Sequence, residues 1–576
     1  MIDRYLTTAY LPETGAGRSA EAQMLWALGA PLMLFPALVF ILTTTWFTIG
    51  GAIGPLFAWA VLTLSAAGAL ALPRLFMPAL PRFIPAGSVA LVTIAFLSAS
   101  LIRDTSMDGQ HYHFEAIYAL AKGWNPVHGP PDLPFIGDPV TPWSIHYPRG
   151  AWVFSANLLA AGIPFTATKV LNCLALLSAA AIIPALLLRL GFSRIAALLL
   201  AAVILLNPVL LAQFFTSMND GLLGLCLLMF AAALTTWLLH EDRFAALTGL
   251  AVMCFALNLK FSAIPVFVFP CAAACLAVFA VRGFRPAVSL GAVLLGAALF
   301  SITVLGWSPY MRNWLEHGHI FHPIMGAHAL DIMTGEGPAL DNTPHNLIGL
   351  SAFERFFFSV FSESHAGFET EAKVRWPFLM MPQELRAAGG VDVRLGGFGP
   401  FFSGALVLAV AGAGVMLARA GRLNRISLAF LIAAAIALLS VLIMPQNWWA
   451  RYVPQFWFVP AFVAAAAMAS GQRAAQFLGA MMILVMLLDS AIVGASASVQ
   501  AAKRHVQSGA QISALASTGH TYCVDPDMVK ARLYLMGRAG VDAHYVPSEE
   551  LQCEDAAEIE AYGPDRFGGV ICPCDR

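Results

Sequence analysis

The chain has 576 residues, of which 59% are apolar and 11% are charged, and its formal net charge is −1. Soluble domains carry about 25% charged residues, so this composition, with a mean hydropathy of +0.74, predicts an all-α protein that crosses a lipid bilayer many times. The absence of a basic excess argues against a nucleic-acid partner.

Thirteen apolar windows have the length of about 20 residues that crosses a bilayer. The polar segment 1–23 precedes them, and the first window is too long for the core of a signal peptide. We therefore expect an uncleaved first span. The shorter apolar stretch Gly150–Ile163 is interpreted as re-entrant. The windows begin near Met24, Ala52, Ile84, Thr166, Ile195, Asp220, Phe244, Phe261, Ala287, Pro400, Ile426, Pro454 and Ala474.

The arginines between the windows predict the orientation, because positive charge is enriched in cytoplasmic loops. They place segment 1–23 in the cytoplasm and the spans in 24–102, 166–306 and 400–497. They place the loops 103–165 and 307–399 and the tail 498–576 outside, in the periplasm if the membrane is a bacterial inner membrane. The arginines concerned are Arg74, Arg82, Arg189, Arg194, Arg282, Arg285, Arg419, Arg422 and Arg425.

The clearest polar signal follows the third window. The run Arg103-Asp104-Thr-Ser-Met-Asp108-Gly-Gln-His-Tyr112-His113-Phe carries two carboxylates and two imidazoles. Ionisable groups near the membrane are costly and usually functional or paired. Asp108, Tyr112 and His113 are therefore candidate site residues, whereas Arg103 is interpreted as an interfacial residue.

Most of the 14 histidines lie in the two large loops, which a rigid scaffold would hold in place for function. The motif His317-x-His319-x-x-His322 suggests a metal site. Its spacings do not put all three side chains on one helical face, so zinc is not favoured there. The loop histidines are His111, His113, His128, His146, His317, His319, His322, His328, His345 and His365.

The tail has the composition of a soluble domain from His520 onward. Strand-like segments alternate with a helical one, which predicts a small α/β unit. Its four cysteines suggest one or two disulfides of open pairing. A zinc site is the rival interpretation, but Cys-Pro-Cys lacks the usual two-residue spacer. These cysteines are Cys523, Cys553, Cys572 and Cys574.

A series of motifs resembles the GT-C glycosyltransferases, of the aminoarabinose transferase and protein O-mannosyltransferase type. Those multispanning enzymes take a sugar from a polyprenyl-phosphate carrier on the outer side of the membrane. The resemblance covers most of 98–460 but neither the first two spans nor the tail. The motifs are Asp108-Gly-Gln-His-Tyr112-His113, Gly123-Trp-Asn-Pro126, His146-Tyr-Pro-Arg149, Thr216-Ser-Met-Asn-Asp220-Gly, Asn258-Leu-Lys260-Phe-Ser, Asn313-Trp-Leu-Glu-His-Gly-His-Ile-Phe-His322-Pro323 and Trp449-Ala-Arg451-Tyr452.

The chemistry of sugar transfer from a phosphate carrier needs one base for the acceptor hydroxyl. It also needs positive charge on the departing phosphate, for which arginine is suited. Asp108 is the predicted base, and Asp104, four residues earlier, is the second choice because a helical turn would place both on one face. Arg451 is the predicted phosphate ligand. A single displacement predicts inversion at the anomeric carbon.

Further substrate-binding candidates come from the same motifs. Asp220 has two other interpretations, a carboxylate at a helix N-terminus and a divalent-cation ligand through the resemblance. Lys260 has the alternative of a side chain that reaches the membrane surface. The sequence identifies no cofactor with certainty, and a divalent cation stays open. The full set is Tyr112, His113, His146, Arg149, Asp220, Lys260, His322, Arg451 and Tyr452.

Together these features predict an inner-membrane glycosyltransferase that acts on a glycan, lipid or protein acceptor. One alternative is a polymerase or ligase of polyprenyl-linked glycans, which would depend on arginines of its large external loop. The other is a transporter or flippase of such lipids, which would carry charges at mid-membrane and internal repeats. Substitution of Asp108 by Asn separates the three.

Overall fold

The structure is a computed structural model that describes residues 16–131, 141–327, 329–330, 343–367, 373–551, 557–558 and 569–574. The chain is mostly helical. Within the described residues, nine helices are long and apolar enough to cross a membrane, and the chain is therefore a multi-pass membrane protein.

The helices of the first half alternate long apolar segments with short connecting turns. They are α1 (Ala16–Thr48), α2 (Pro55–Phe76), α3 (Ile84–Leu101), α4 (Phe114–Ala121), α5 (Pro142–His146), α6 (Gly150–Ala160), α7 (Leu171–Arg189), α8 (Arg194–Leu205), α9 (Pro208–Gln213), α10 (Asp220–His240), α11 (Arg243–Ala256), α12 (Ala263–Arg282) and α13 (Phe284–Phe300).

The second half contains the remaining helices and all the strands. They are α14 (Arg312–His317), α15 (Ala352–Val360), α16 (Glu384–Ala387), α17 (Phe402–Leu417), α18 (Arg425–Leu442), α19 (Phe458–Ala469), α20 (Arg473–Thr518) and α21 (Ala531–Arg538), with strands β1 (Thr521–Asp525), β2 (Asp542–Tyr545), β3 (Ala557–Glu558) and β4 (Val570–Pro573).

Side-chain caps set several of the turns between apolar helices. The Ser193 hydroxyl accepts from the backbone N–H of Ala196 at the start of α8, and the Asp242 carboxylate does the same for Ala245 at the start of α11. Such caps satisfy amide groups that have no partner inside the helix. Gly283 has a φ of 87° between α12 and α13, a conformation that favours glycine, so the chain reverses there.

The prediction of thirteen spans is not confirmed, because four of the windows form helices of only 10–17 residues. A hydropathy window cannot see the breaks: α8 ends before Asn207-Pro208, and α11 ends before the polar Asn258 and Lys260. Proline has no N–H to continue the helix. The four shorter helices lie at Arg194–Leu205, Arg243–Ala256, Phe402–Leu417 and Pro454–Ala469.

The long helices differ in how deeply they are packed. In α7, 78% of the apolar window is buried, whereas in α12 and α13 the buried share is 22%. The exposed faces of α12 and α13 carry large apolar side chains, such as Leu276, Phe279 and Leu295. Helix α7 packs against α1, α8 and α10. The bundle thus has a protein-packed centre and apolar outer helices suited to contact lipid.

Helix α20 extends beyond the membrane-spanning length and carries the tail. Its 46 residues correspond to about 70 Å, whereas a bilayer core takes about 20 residues. The helix passes through the boundary predicted at 497 and ends at Thr518, before Gly519 with a φ of 69°. Helix α20 is therefore continuous across residue 497, where the sequence predicts the end of the last span.

The tail forms the α/β unit that the sequence predicts. Its sheet has the strand order β2-β1-β4-β3, with β1 parallel to β2 and antiparallel to β4. A disulfide joins Cys523 on β1 to Cys574 just after β4. Cys572 is also disulfide-bonded, and Cys553 lies outside the described residues. The prediction of disulfides is confirmed for Cys523 and Cys574.

Candidate active site

The segment between α3 and α4 contains a kinked helical turn at residues 107–113, which we call the π-helical turn. Residues 103–106 are not helical, the helix begins at Met107, and Gly109–His113 are π-helical apart from His111, whose φ of −94° and ψ of −111° bend the backbone. Such turns are rare and often occur at functional sites. A side chain at Gly109 would overlap the Asp104 carboxylate, so the turn needs glycine at this position.

Asp104 holds this turn in place. Its buried carboxylate accepts from the backbone N–H and hydroxyl of Ser106, at 3.0 and 2.6 Å, and from the N–H of Ser217 at 2.6 Å. Burial raises the pKa of Asp104. Because the chain is not helical at 104, the expected shared face with Asp108 does not exist. The choice of Asp104 as an alternative base is therefore not supported, and the residue joins the turn to the segment before α10.

Arg451 lies at the centre of three carboxylates, which we call the Arg451 cluster. Its Nη2 is 2.9 Å from Asp108 Oδ2, its Nη1 is 3.1 Å from Asp392 Oδ1, and its Nε is 3.5 Å from Asp220 Oδ2. The four residues come from the π-helical turn, the start of α10, the loop before α17 and the short turn Ala450–Tyr452. Segments distant in sequence thus meet at one guanidinium.

Lys260 extends the Arg451 cluster. Its ammonium pairs with Asp220 and lies 4.1 Å from the centroid of the Tyr452 ring, in a cation–π contact. Gln213 Nε2 also donates to Asp220 at 2.8 Å. The Lys260 side chain is 18% exposed, so it is directed into the site and not to the membrane surface. Asp220 is an ion-pair partner there as well as the first residue of α10.

The charges of the cluster balance. Three carboxylates face Arg451, Lys260 and Arg394, whose Nη2 lies 3.3 Å from Asp392. Burial lowers the pKa of Arg451, but the carboxylates of Asp392, Asp108 and Asp220 outweigh it and hold that pKa well above its usual value. Arg451 therefore stays protonated. Buried charges are tolerated when they are paired and hydrogen-bonded.

Aromatic and imidazole rings form one side of the site. The Tyr112 hydroxyl lies 3.4 Å from Asp108 Oδ2, and the Tyr112 ring stacks on His113 with the centroids 4.4 Å apart. Trp152 Nε1 donates to His113 Nδ1 at 2.6 Å. Burial lowers the pKa of His113 to about 4, so its ring is neutral near pH 7. The rings of Tyr112, His113 and Trp152 therefore give this side of the site no charge.

The structure separates the remaining predicted residues from the Arg451 cluster. Arg149 Nη1 donates to Ser308 Oγ at 2.9 Å, and its guanidinium lies 5.0 Å from the Trp124 ring centroid. Burial, together with the charge of Arg312, lowers the pKa of Arg149 to about 9. None of these contacts reaches the Arg451 cluster, so the structure does not bring Arg149 to that cluster.

His146 and His322 form a second group with His317. The centroid of the His146 ring is 4.8 Å from that of His322 and 5.0 Å from that of His317. Among the described residues, these three are the only His, Cys, Asp or Glu side chains placed closely enough to share a metal ion. Tyr147 connects the two groups, since its ring lies 6.2 Å from that of Tyr112.

Comparisons of the chain with protein-family models, with curated proteins and with solved structures find no match. No family is assigned. The functional proposal therefore depends on the geometry of the site.

The tail domain contacts the π-helical turn directly, through residues that the sequence did not single out. Lys530 Nζ lies 2.8 Å from Glu115 Oε1, and Arg532 Nε donates to Gln110 Oε1 at 2.9 Å. Glu115 is fully buried and also accepts from Thr141. These contacts hold the segment that follows Asp108 against the tail domain.

Asp392 was also missed by sequence reasoning. It lies in Gly-Gly-Val-Asp392-Val-Arg394, within a long loop of ordinary polar composition. The only signal was an acidic and a basic residue two positions apart, which is common in exposed loops. Its role becomes visible only through its 3.1 Å contact with Arg451.

Proposed function

We propose that this protein is an inverting membrane glycosyltransferase of the GT-C type. It would move a monosaccharide from a polyprenyl-phosphate carrier to a hydroxyl group of an extracytoplasmic glycan, lipid or protein. The observation that carries the proposal is the 2.9 Å contact between Asp108 and Arg451, two residues 343 positions apart in the chain. A potential base and a permanent cation thus share one site.

The reaction makes one bond and breaks one. The acceptor oxygen attacks the anomeric carbon, its proton passes to the Asp108 carboxylate, and the bond between that carbon and the phosphate oxygen breaks. The electron pair leaves with the phosphate, whose charge Arg451 and Lys260 stabilise. Phosphate is a weak base, so no acid is needed for the leaving group. One carboxylate therefore suffices.

Arg451 must exchange a carboxylate for the carrier phosphate, because each of its three guanidinium nitrogens faces a carboxylate. Asp220 has further partners in Lys260 and Gln213, and Asp392 has one in Arg394. Among the described residues, Asp108 has no further partner apart from the Tyr112 hydroxyl at 3.4 Å. Asp108 is thus the carboxylate that costs least to release. Binding of the phosphate would free the base at the moment when it is needed.

The proposal includes the orientation of the chain in the membrane and the number of passes. We infer that the arginine-rich connections face the cytoplasm and that the Arg451 cluster opens to the periplasm of a bacterial inner membrane. The four shorter apolar helices would complete crossings together with neighbouring segments, which is how thirteen passes would arise. Single cysteines are introduced at Ser100 or Arg422 to distinguish the two faces. A membrane-impermeant thiol reagent labels only the cysteine on the face to which it is added.

The polymerase or ligase alternative depends on free arginines in the second loop. Three of the five described arginines there pair with carboxylates. Arg312 pairs with Glu316 at 2.8 Å, Arg375 with Glu384 at 3.1 Å, and Arg394 with Asp392 at 3.3 Å. The convergence of Asp108 on Arg451 favours the transferase.

The test compares two matched carboxylate variants, Asp108→Asn and Asp392→Asn, because both residues contact Arg451. Sugar transfer from a polyprenyl-phosphate donor is measured with the purified protein, and envelope glycans are analysed by mass in cells with and without it. Loss of a general base predicts a decrease of about 10²–10⁴-fold for Asp108→Asn. Asp392→Asn is expected to decrease transfer far less. Equal activity of Asp108→Asn and the unmodified protein would contradict the proposal.

A further inference from the structure

Three imidazoles from two distant loops converge beside the Arg451 cluster. His146 ends α5, His317 ends α14, and His322 follows five residues later. One ring nitrogen from each lies within 4.8 Å of the other two. The rings of His317 and His322 are parallel, with 9° between their planes and 3.7 Å between their centroids. His146 stands nearly perpendicular to both, at 84° and 89°.

The buried side-chain amide of Asn313 determines which ring nitrogen of His146 carries the proton. Asn313 is fully buried, and its Nδ2 donates to the backbone oxygens of His146 and His322, at 3.0 and 2.7 Å. Both amide N–H groups are then used, so its Oδ1 faces His146 Nδ1 at 2.8 Å. An amide oxygen only accepts. The proton of the neutral His146 ring is therefore on Nδ1, and the lone pair is on Nε2.

This arrangement is the one that metal-binding histidines use. A ligating imidazole typically donates its other N–H to a carboxylate or carbonyl oxygen, which fixes its orientation. In a tetrahedral zinc site the Zn–N distance of about 2.0–2.1 Å places ligand nitrogens roughly 3.4 Å apart. The ring nitrogens of the three histidines lie within 4.8 Å of one another, so binding of the ion requires the side chains, including the stacked rings of His317 and His322, to rotate until their lone pairs converge.

We propose that His146, His317 and His322 bind a divalent transition-metal ion, of which zinc fits best. Imidazole nitrogen suits zinc, copper, nickel and iron, whereas magnesium and calcium prefer oxygen ligands. The adjacent carboxylate of Glu316 lies 4.0 Å from His317 Nε2 and is held by Arg312 at 2.8 Å, and the described residues add no carboxylate to the three-histidine group. The three imidazoles are thus the protein's ligands.

The ligand set differs from the one that the sequence motif suggested. His319 lies between His317 and His322, but its Nδ1 accepts from the backbone N–H of Phe321 at 3.1 Å. Two ligands therefore come from the motif and the third from His146, 171 residues before His317. His319 provides a matched control on the same segment.

The metal would join the first large loop to the second. His146 precedes Tyr147, whose ring contacts both Tyr112 and Phe261. An ion bound at the three histidines would therefore hold Tyr147, and with it the rings beside the Arg451 cluster, in place. It would not contact the carboxylates of that cluster. The site is independent of the proposed transferase activity, since its ligands and geometry stand without any substrate.

The experiment measures zinc in the purified full-length protein after removal of metal with a chelator and dialysis against zinc or magnesium. We expect about one zinc per chain by elemental analysis and a higher Tm with zinc but not with magnesium. Cobalt is expected to give the absorption of a tetrahedral complex. His146→Gln and His317→Gln should each lower zinc affinity at least tenfold, whereas His319→Gln should not.

Two results would overturn the proposal. One is the absence of stoichiometric zinc in the unmodified protein. The other is an equal loss of zinc in His319→Gln and in the ligand variants. His317 is half-buried and ends a short helix, so His317→Gln is expected to fold. Its Tm without metal, compared with that of the metal-free unmodified protein, separates loss of a ligand from loss of the fold.

Discussion

The Arg451 cluster and the three-histidine group lie side by side at the same end of the bundle, but they are built on opposite principles. Around Arg451, buried charges cancel in pairs, with carboxylates at 2.9 and 3.1 Å. Around His146, neutral rings are oriented by the Asn313 amide. A charge-balanced site responds when an anion enters and displaces a carboxylate. A neutral nitrogen site responds only to a cation.

The largest expected effect concerns the centre of the charged site. Arg451→Ala leaves the buried Asp220 and the half-buried Asp108 and Asp392 with two cations, and removal of one partner of a buried ion pair costs about 3–5 kcal/mol. We expect unfolding at lower denaturant concentration and loss of binding to polyprenyl phosphate. Arg451→Lys keeps the charge but not the fork of donors, and is expected to recover part of the stability. Equal stability of Arg451→Ala and the unmodified protein would contradict the conclusion that Arg451 balances the charge of these carboxylates.

The buried imidazole of His113, in the group of rings beside Asp108, predicts that the stability of the protein depends on pH. Burial lowers the pKa of His113 to about 4, below its unfolded value of about 6.5. The unfolded chain therefore binds the proton first, and stability is complete above about pH 6.5 and is lost as the pH decreases toward 4. The loss is on the order of 3 kcal/mol.

His113→Gln tests this dependence, because glutamine accepts a hydrogen bond from Trp152 without titrating. The free energy of unfolding is measured between pH 4 and pH 7 for both proteins. The variant should show a smaller decrease toward acid, although His111, whose pKa burial also lowers to about 4, leaves part of it. Identical pH profiles would show that His113 is not buried in neutral form.

A smaller effect concerns the tail domain, which supports the charged site from outside. Lys530→Met removes the partner of the buried Glu115, 2.8 Å away, and is expected to loosen the turn that carries Asp108. We expect kcat for sugar transfer to decrease about tenfold with little change in KM for the carrier, because Arg451 and Lys260 are untouched. Lys530→Arg should restore most of kcat. An increase in KM alone would place the tail in carrier binding instead.

The bundle and the tail could be predicted from the sequence because each depends on local patterns. Apolar windows identified the long helices, and alternating strand and helix signals identified the α/β unit. The shortness of α8 and α11 was missed because a hydropathy window averages over the local breaks at Asn207-Pro208 and Asn258. The extension of α20 past residue 497 was not predicted, because hydropathy alone does not show that its polar half remains helical.

The candidate site was predictable in part. Asp108, Arg451, Asp220 and Lys260 follow from costly polar residues at the ends of apolar windows, and the structure brings these four together. Their roles stay predictions. Asp392 and the pair of Lys530 with Glu115 carry no local signal, because only tertiary packing brings them to the site. The same reason explains why the third histidine, His146, was not joined to His317 and His322.

The central claim is that Asp108 and the carrier phosphate compete for Arg451 and that the released carboxylate is the base. The most direct measurement is the affinity of polyprenyl phosphate for Asp108→Asn and for the unmodified protein, together with sugar transfer by both. The account predicts tighter binding of the carrier by the variant, since its amide competes poorly for the guanidinium, and loss of transfer. Weaker binding combined with normal transfer would contradict it.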